Sequence, residues 1–288
     1  MTGTGERIPH AAPAPATQLT RWVGQSGCVE ALNIDRPKLV MKVHRRFVKA
    51  GAEIIFTNSG NAAPQLLRNF RMFDEAFAVS FLGAELARTV ADEAAHRVHV
   101  IGDVRLPSRV PATGFMTEDE LGSAARCLVS AQVAGGVDAV LLDLPARPAQ
   151  LAAVLNGARW GMSEAKRTVP LLLLLHPAMM PGQIDRDRLH DELSQAAVVA
   201  ATAHAAALGV NPGDLPETAP ELLEHVLPFW NGPIALSPAA DAATVRTLCE
   251  DPLLGGRLAF LPSSSPRDLR RVIKTSLGTA AAVIQRRN

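Results

Sequence analysis

Gly135-Gly136-Val137-Asp138-Ala139-Val140-Leu141-Leu142-Asp143 joins the end of a helical pattern to an apolar strand, and the same join recurs along the chain. The run Asp138 to Leu142 does not alternate apolar with polar residues. That is the pattern of a parallel strand covered on both faces. Upstream, Thr117-Glu118-Asp119-Glu120 has the spacing of a capping box. It predicts a helix over Thr117 to Ala134, ended by the glycine pair.

Outward from this unit, apolar runs at Ala52 to Phe56, Val98 to Ile101, Leu171 to Leu175, Ala207 to Val210, Pro233 to Leu236 and Leu258 to Leu261 predict further strands. Helical patterns lie between them: Pro37 to Ala50 (closed by Gly51), Phe73 to Ala95, Ala149 to Ala158 and Asp187 to Ala207. Others follow at Pro220 to Val226, Ala240 to Glu250 and Pro266 to Gln285. Seven strand–helix units result. Seven alone would favour an open doubly wound sheet. A strand at Leu19 to Val23, before Gly24-Gln25-Ser26-Gly27, supplies an eighth. Eight units close an α/β (β/α)8 TIM barrel, whose usual size of about 250 residues is close to this chain's length. The expected organisation is one barrel domain over 18–288, behind a Gly-, Pro- and Ala-rich lead-in over 1–17 expected to be disordered. There is no internal repeat and no interdomain linker.

Composition narrows the function. Charged residues make up 20% and the net charge is +1, so no basic face for nucleic acid or anionic lipid is indicated. Tyr is absent and aromatics are 4%, against a base-stacking platform. No apolar run approaches the length of about 20 residues that crosses a bilayer. The three cysteines, Cys28, Cys127 and Cys249, are far apart in sequence and form no CxxC. With no signal peptide read at the N-terminus, they are expected to be reduced thiols in a cytoplasm.

Three stretches carry a resemblance: Leu32-Asn33-Ile34-Asp35-Arg36-Pro37-Lys38-Leu39-Val40, His44-Arg45-Arg46-Phe47, and Ala50-Gly51-Ala52-Glu53-Ile54-Ile55-Phe56-Thr57-Asn58. Glu85-Leu86-Ala87-Arg88 and Ser264-Ser265-Pro266-Arg267-Asp268-Leu269 support it. The chain resembles the homocysteine S-methyltransferase family. The resemblance implies a (β/α)8 barrel and methyl transfer to the thiol of homocysteine. In that family a zinc ion held by three cysteines lowers the thiol pKa so that a thiolate attacks the methyl donor. One cysteine follows the sixth strand in Gly-x-Asn-Cys, and an adjacent pair follows the eighth. Here Gly209-Val210-Asn211-Pro212 puts Pro212 at the first position, and Leu261 and Pro262 stand at the pair. No side chain among the three ligates a metal. The resemblance also implies an Asp in the first turn that helps bind the substrate amino group. The stretch matched to that turn is Val23-Gly24-Gln25-Ser26-Gly27-Cys28, with Val23 at the Asp. The family's Glu before Thr-Asn is Phe56, its Gly-Ser-Ile-Gly-Pro turn is Gly102-Asp103-Val104-Arg105-Leu106-Pro107, and its fourth-strand Glu corresponds to Asp143. No cofactor is expected, because the family's zinc ligands are missing.

Barrel enzymes place working groups at the C-terminal ends of their strands. That rule selects His176, Asp143 and Asp103 as candidate catalytic groups, and Gly24, Asn58, Arg105, Asn211 and Asp214 as candidate ligand-binding groups. Ser237 and Ser263 follow the last two strands. Each has a plainer reading. His176, after five leucines, is a general base or a solvent-facing strand end. Asp103 and Arg105 are an ion pair shaping a loop or part of a site. Asn211-Pro212-Gly213-Asp214 reads first as a turn. Cys127 and Cys249 read as structural thiols, and His44, His190, His204 and His225 as surface residues on helices.

Two functions remain open. The first is a non-catalytic binding or partner subunit of methyl-group or one-carbon metabolism, holding a small molecule or sitting beside a methyltransferase, corrinoid or folate protein. The second is an enzyme with a rebuilt site on His176, Asp103 and Asp143, carrying out methyl transfer or other chemistry on a small molecule near Arg105 without zinc-bound cysteines. In the methyl-transfer case, donor and acceptor are simply held in register. A mouth plugged by Phe56, Leu261 and Pro262 would favour the first, and a pocket on which His176 and Asp143 converge the second.

Overall fold

The computed structural model describes residues 9–12, 15–23, 27–107, 109–110, 114–177, 186–211, 218–237, 245, 248–251, 254 and 257–262. The elements run β1 (His10–Ala11), α1 (Ala16–Val23), α2 (Leu32–Asp35), α3 (Pro37–Val48), β2 (Ile54–Phe56), α4 (Pro64–Leu67), α5 (Ala76–Asp92) and β3 (His99–Arg105). A small hairpin of β4 (Arg109–Val110) and β5 (Gly114–Phe115) follows, then α6 (Glu118–Ala134), β6 (Ala139–Pro145) and α7 (Pro148–Glu164). The remainder is β7 (Leu171–His176), α8 (Arg186–Thr202), β8 (Ala207–Val210), α9 (Ala219–Val226) and β9 (Leu261–Pro262).

The main sheet runs β8-β7-β6-β3-β2-β1-β9, and each neighbouring pair is parallel. Parallel bridges Leu208↔Ile234 and Ile234↔Leu258 carry the ladder from β8 through two further segments. The second of these leads into β9, whose Leu261 pairs with His10 of β1. Eight staves therefore close a ring, with the helices outside it.

The sequence explains most of this. The helix-ending glycines Gly51 and Gly136 have φ of 102° and 96°, the left-handed region where glycine carries no Cβ penalty. The capping box of α6 is formed. The Glu120 N–H donates to Thr117 Oγ1 at 3.2 Å, and the Thr117 N–H donates to Glu120 Oε2 at 2.9 Å. The apolar runs are buried on both faces, with Val140, Leu141 and Leu142 at 0% exposure. Inside the ring Phe56 meets Phe260 edge to face, with centroids 5.5 Å apart. The densest helix packing is α6 on α7. A Cβ on Gly157 would collide with the Gly122 carbonyl, and one on Gly161 would lie 2.5 Å from the Arg126 carbonyl oxygen.

Three expectations fail. Leu19 to Val23 is no strand but the end of α1, with Leu19 buried, Trp22 exposed and the Thr20 hydroxyl donating to the Ala16 carbonyl one turn back. The first stave is β1, which falls inside the expected disordered lead-in, so the barrel begins before residue 18. A two-residue strand shows no periodicity to read. His44 is likewise buried rather than on the surface, and burial lowers its pKa to about 4. Among the described residues no helix is long and apolar enough to cross a membrane.

Candidate functional site

The C-terminal ends of β2, β3, β6, β7 and β8 converge on a group of polar side chains. Successive residues of a strand face opposite ways. Gly102 faces the Gln132 side chain of α6, so Asp103 faces the interior. Arg105, two residues on, shares that face, and its Cα is paired with that of Asp143. Asp143 is paired in turn with Leu174, and Pro145 with His176, which puts Asp143 and His176 on one inner face.

Asp103 and Arg105 form an ion pair, Oδ2 to Nη2 3.3 Å. The Asp103 side chain is 3% exposed and that of Arg105 34%. Asn211 at the end of β8 donates its Nδ2 hydrogen to Asp143 Oδ2 at 2.6 Å. Gly60 admits the cluster from the β2 loop: a Cβ there would lie 2.7 Å from Asp103 Oδ2 and 3.1 Å from Arg105 Nε.

Burial pushes the Asp103 carboxyl above its ordinary pKa, and Arg105 opposes the shift. Burial raises Asp143 as well, against Arg105, then His176, then the Asn211 hydrogen bond. Arg105 holds its proton more tightly because Asp103, Asp143 and Glu30 surround it. Three carboxylates thus share one guanidinium.

Glu30 escaped the sequence reading. It is 3% exposed, and its Oε1 accepts from the Asn61 N–H at 3.0 Å. The mistaken strand at Leu19 to Val23 hid it, because Glu30 sits in the stretch that follows α1 rather than just beyond a stave. Cys28 is its neighbour, Sγ to Oε2 3.7 Å. Burial, then the Glu30 charge, raises the Cys28 thiol to about 11, so at neutral pH it is a thiol and not a thiolate.

A second polar lattice fixes the floor. The Asp103 N–H donates to Thr57 Oγ1 at 2.9 Å, and the Ser59 hydroxyl donates to the Asp103 carbonyl at 3.1 Å. Gln132 of α6 donates to Ser59 Oγ and to the Asp103 carbonyl, at 2.8 and 3.0 Å. Gln132 gave no sequence signal, because one glutamine on a helix pattern is ordinary.

Of the sequence-predicted residues, Asp103, Arg105, Asp143, His176 and Asn211 come together. Asn58 is close by but turned to the scaffold: its Nδ2 donates to the Val29 carbonyl at 2.9 Å and to Asn33 Oδ1 at 3.0 Å. Asn33 returns a bond to the Asn58 carbonyl at 2.7 Å. Asn58→Ala is expected to lower stability by about 1–3 kcal/mol, because it strands buried partners. Denaturant melts of the purified variant measure this. Gly24, Asp214 and Ser263 lie outside the described residues. Phe56 is fully buried as interior packing of the barrel core, and the side chains of Leu261 and Pro262 lie outside the described set. Among the described residues no group of three or more His, Cys, Asp or Glu is placed to hold a metal ion.

Comparison with known proteins defines the class. The profile of the family Homocysteine S-methyltransferase matches residues 6–251, most of the chain. This chain belongs to the homocysteine S-methyltransferase family. Methionine synthase of Mycobacterium leprae is 26% identical over 242 residues, covering 83% of this chain and 19% of that protein. Methionine synthase of Mycobacterium tuberculosis is 26% identical over 240 residues, covering 82% and 20%. The chain thus spans about a fifth of the length of these curated relatives. The homocysteine methyltransferase MmuM of Escherichia coli has the same fold: its oxidized form superposes with a TM-score of 0.69 at 17% identity, covering 93% of this chain and 96% of that one. Its metallated form gives 0.66 at 16% identity, covering 91% and 94%.

Proposed function

We propose that this chain is a family member that has lost the zinc–thiolate site and serves as a non-catalytic binding or partner subunit in methyl-group metabolism. The donor set carries the reading. Pro212, Leu261 and Pro262 stand where the resemblance expects the three cysteines, and the backbone of Leu261 and Pro262 is engaged in pairing with β1. The residues present do not fit a zinc–thiolate centre. Cys28 lies beside the Glu30 carboxylate, which with burial keeps it protonated. The first stave ends at Ala11 and is followed by Ala12-Pro13-Ala14-Pro15, a stretch without a carboxylate for a substrate amine. Arg105 supplies an internal cation where Glu30, Asp103 and Asp143 would otherwise attract an external one.

The natural partner on this reading is a methyltransferase, corrinoid or folate protein, and the compartment is the cytoplasm. The matched part is about a fifth of the curated relatives' length, so a segment like this one occurs there within a larger polypeptide. Cobalt(II) titration of the purified chain tests the donor set. No thiolate-to-cobalt charge-transfer absorption is expected, and a strong band at one ion per chain would overturn the reading.

One observation favours the rebuilt enzyme: Asp143, with a raised pKa, shares the inner face with His176. A carboxyl tuned upward beside an imidazole suits proton transfer. That reading requires a turnover that His176→Gln abolishes while the fold, followed by circular dichroism, is kept.

A further inference from the structure

On the outer helical layer, His190 of α8 and His225 of α9 turn their Nδ1 atoms toward each other at 3.1 Å. The rings are crossed at 66°, with centroids 5.3 Å apart. His190 is exposed and His225 half-buried. From this geometry we propose a binding site for a divalent first-row transition-metal ion, chelated by His190 Nδ1 and His225 Nδ1 and bridging α8 to α9.

Two nitrogens bound at about 2.0–2.1 Å to one tetrahedral ion lie about 3.3 Å apart, so the observed separation is close to the edge of that polyhedron. Imidazole pairs suit zinc, nickel and copper rather than magnesium or calcium. With the ion absent, one Nδ1 donates its hydrogen to the other. When the ion binds, that ring shifts its proton from Nδ1 to Nε2, both Nδ1 lone pairs turn to the metal, and no net proton leaves. The Nε2 atoms then act as donors, as metal-bound imidazoles usually require. Asp187 precedes His190 by three residues and Glu221 precedes His225 by four, which places negative charge on the same helix faces. Water completes the coordination, as it does in open sites. The fixed pairing of two helices makes the site more than two scattered histidines, because neither ring must be brought in from solvent.

Titration calorimetry with nickel(II) on the full chain tests this. One ion per chain is expected, with affinity reduced by about tenfold or more in both His190→Ala and His225→Ala. A rise in thermal midpoint on adding nickel is expected in the parent chain and in neither variant. Because His190 is exposed, circular dichroism of its variant should match the parent, which separates a lost ligand from a lost fold. Equal affinity in all three proteins, or no binding by the parent chain, would overturn the proposal.

Discussion

Arg105→Ala is expected to destabilise the protein by about 2 kcal/mol at pH 8, and by much less at pH 5. The figure sits below that for a fully buried pair, because 34% of the Arg105 side chain is exposed and water screens it. Removing the guanidinium leaves Glu30, Asp103 and Asp143 without the cation they share. The sign of the pH dependence follows from the direction of the shifts. The folded-state pKa values of Asp103 and Asp143 already lie above the ordinary range, and Arg105 holds both down. Without Arg105 they rise further. The folded state then binds protons that the unfolded state has released, so stability declines as pH climbs from about 4 through the raised values. Denaturant midpoints of parent and variant at pH 5 and pH 8 measure the effect. An equal loss at both pH values would show that Arg105 acts by packing and not by charge.

Gly157→Ala is the second large effect. Alanine favours a helix interior by about 1 kcal/mol over glycine. Here the new methyl meets the Gly122 carbonyl of α6, a backbone atom that cannot rotate away. Over-packing of this kind costs about 1–3 kcal/mol or more, and the whole α6–α7 crossing must open to relieve it. A net loss of about 2 kcal/mol is expected, visible as a lower thermal midpoint. A gain in stability would mean that α6 and α7 do not cross this closely.

The alternation of buried strands and capped helices was legible because each unit is long enough to show a period. The α6–β6 join is the clearest case: the capping box, the positive-φ glycine and the unbroken Val140-Leu141-Leu142 run all agree. β1 was not legible, since two residues have no period and the Ala- and Pro-rich composition around them reads as lead-in. That error displaced the first turn and hid Glu30. Strand ends alone selected Asp103, Arg105, Asp143, His176 and Asn211, and these do assemble, because parallel staves of a barrel must bring such positions to one face. Asn58 was selected by the same rule, yet it serves the scaffold, because its amide reaches Val29 and Asn33 before it reaches the mouth. His44 shows the complementary limit. A histidine on a helix pattern reads as surface, and only the packed structure reveals it on the buried side of α3.

On the function proposed above, this family member does not activate homocysteine. The most direct test incubates the purified full chain with homocysteine, added zinc, and sulfonium, corrinoid-bound and folate-bound methyl donors in turn, and follows methionine by mass spectrometry. No methionine above the protein-free control is expected. Methionine formation that depends on zinc and is abolished by a chelator would contradict the proposed function.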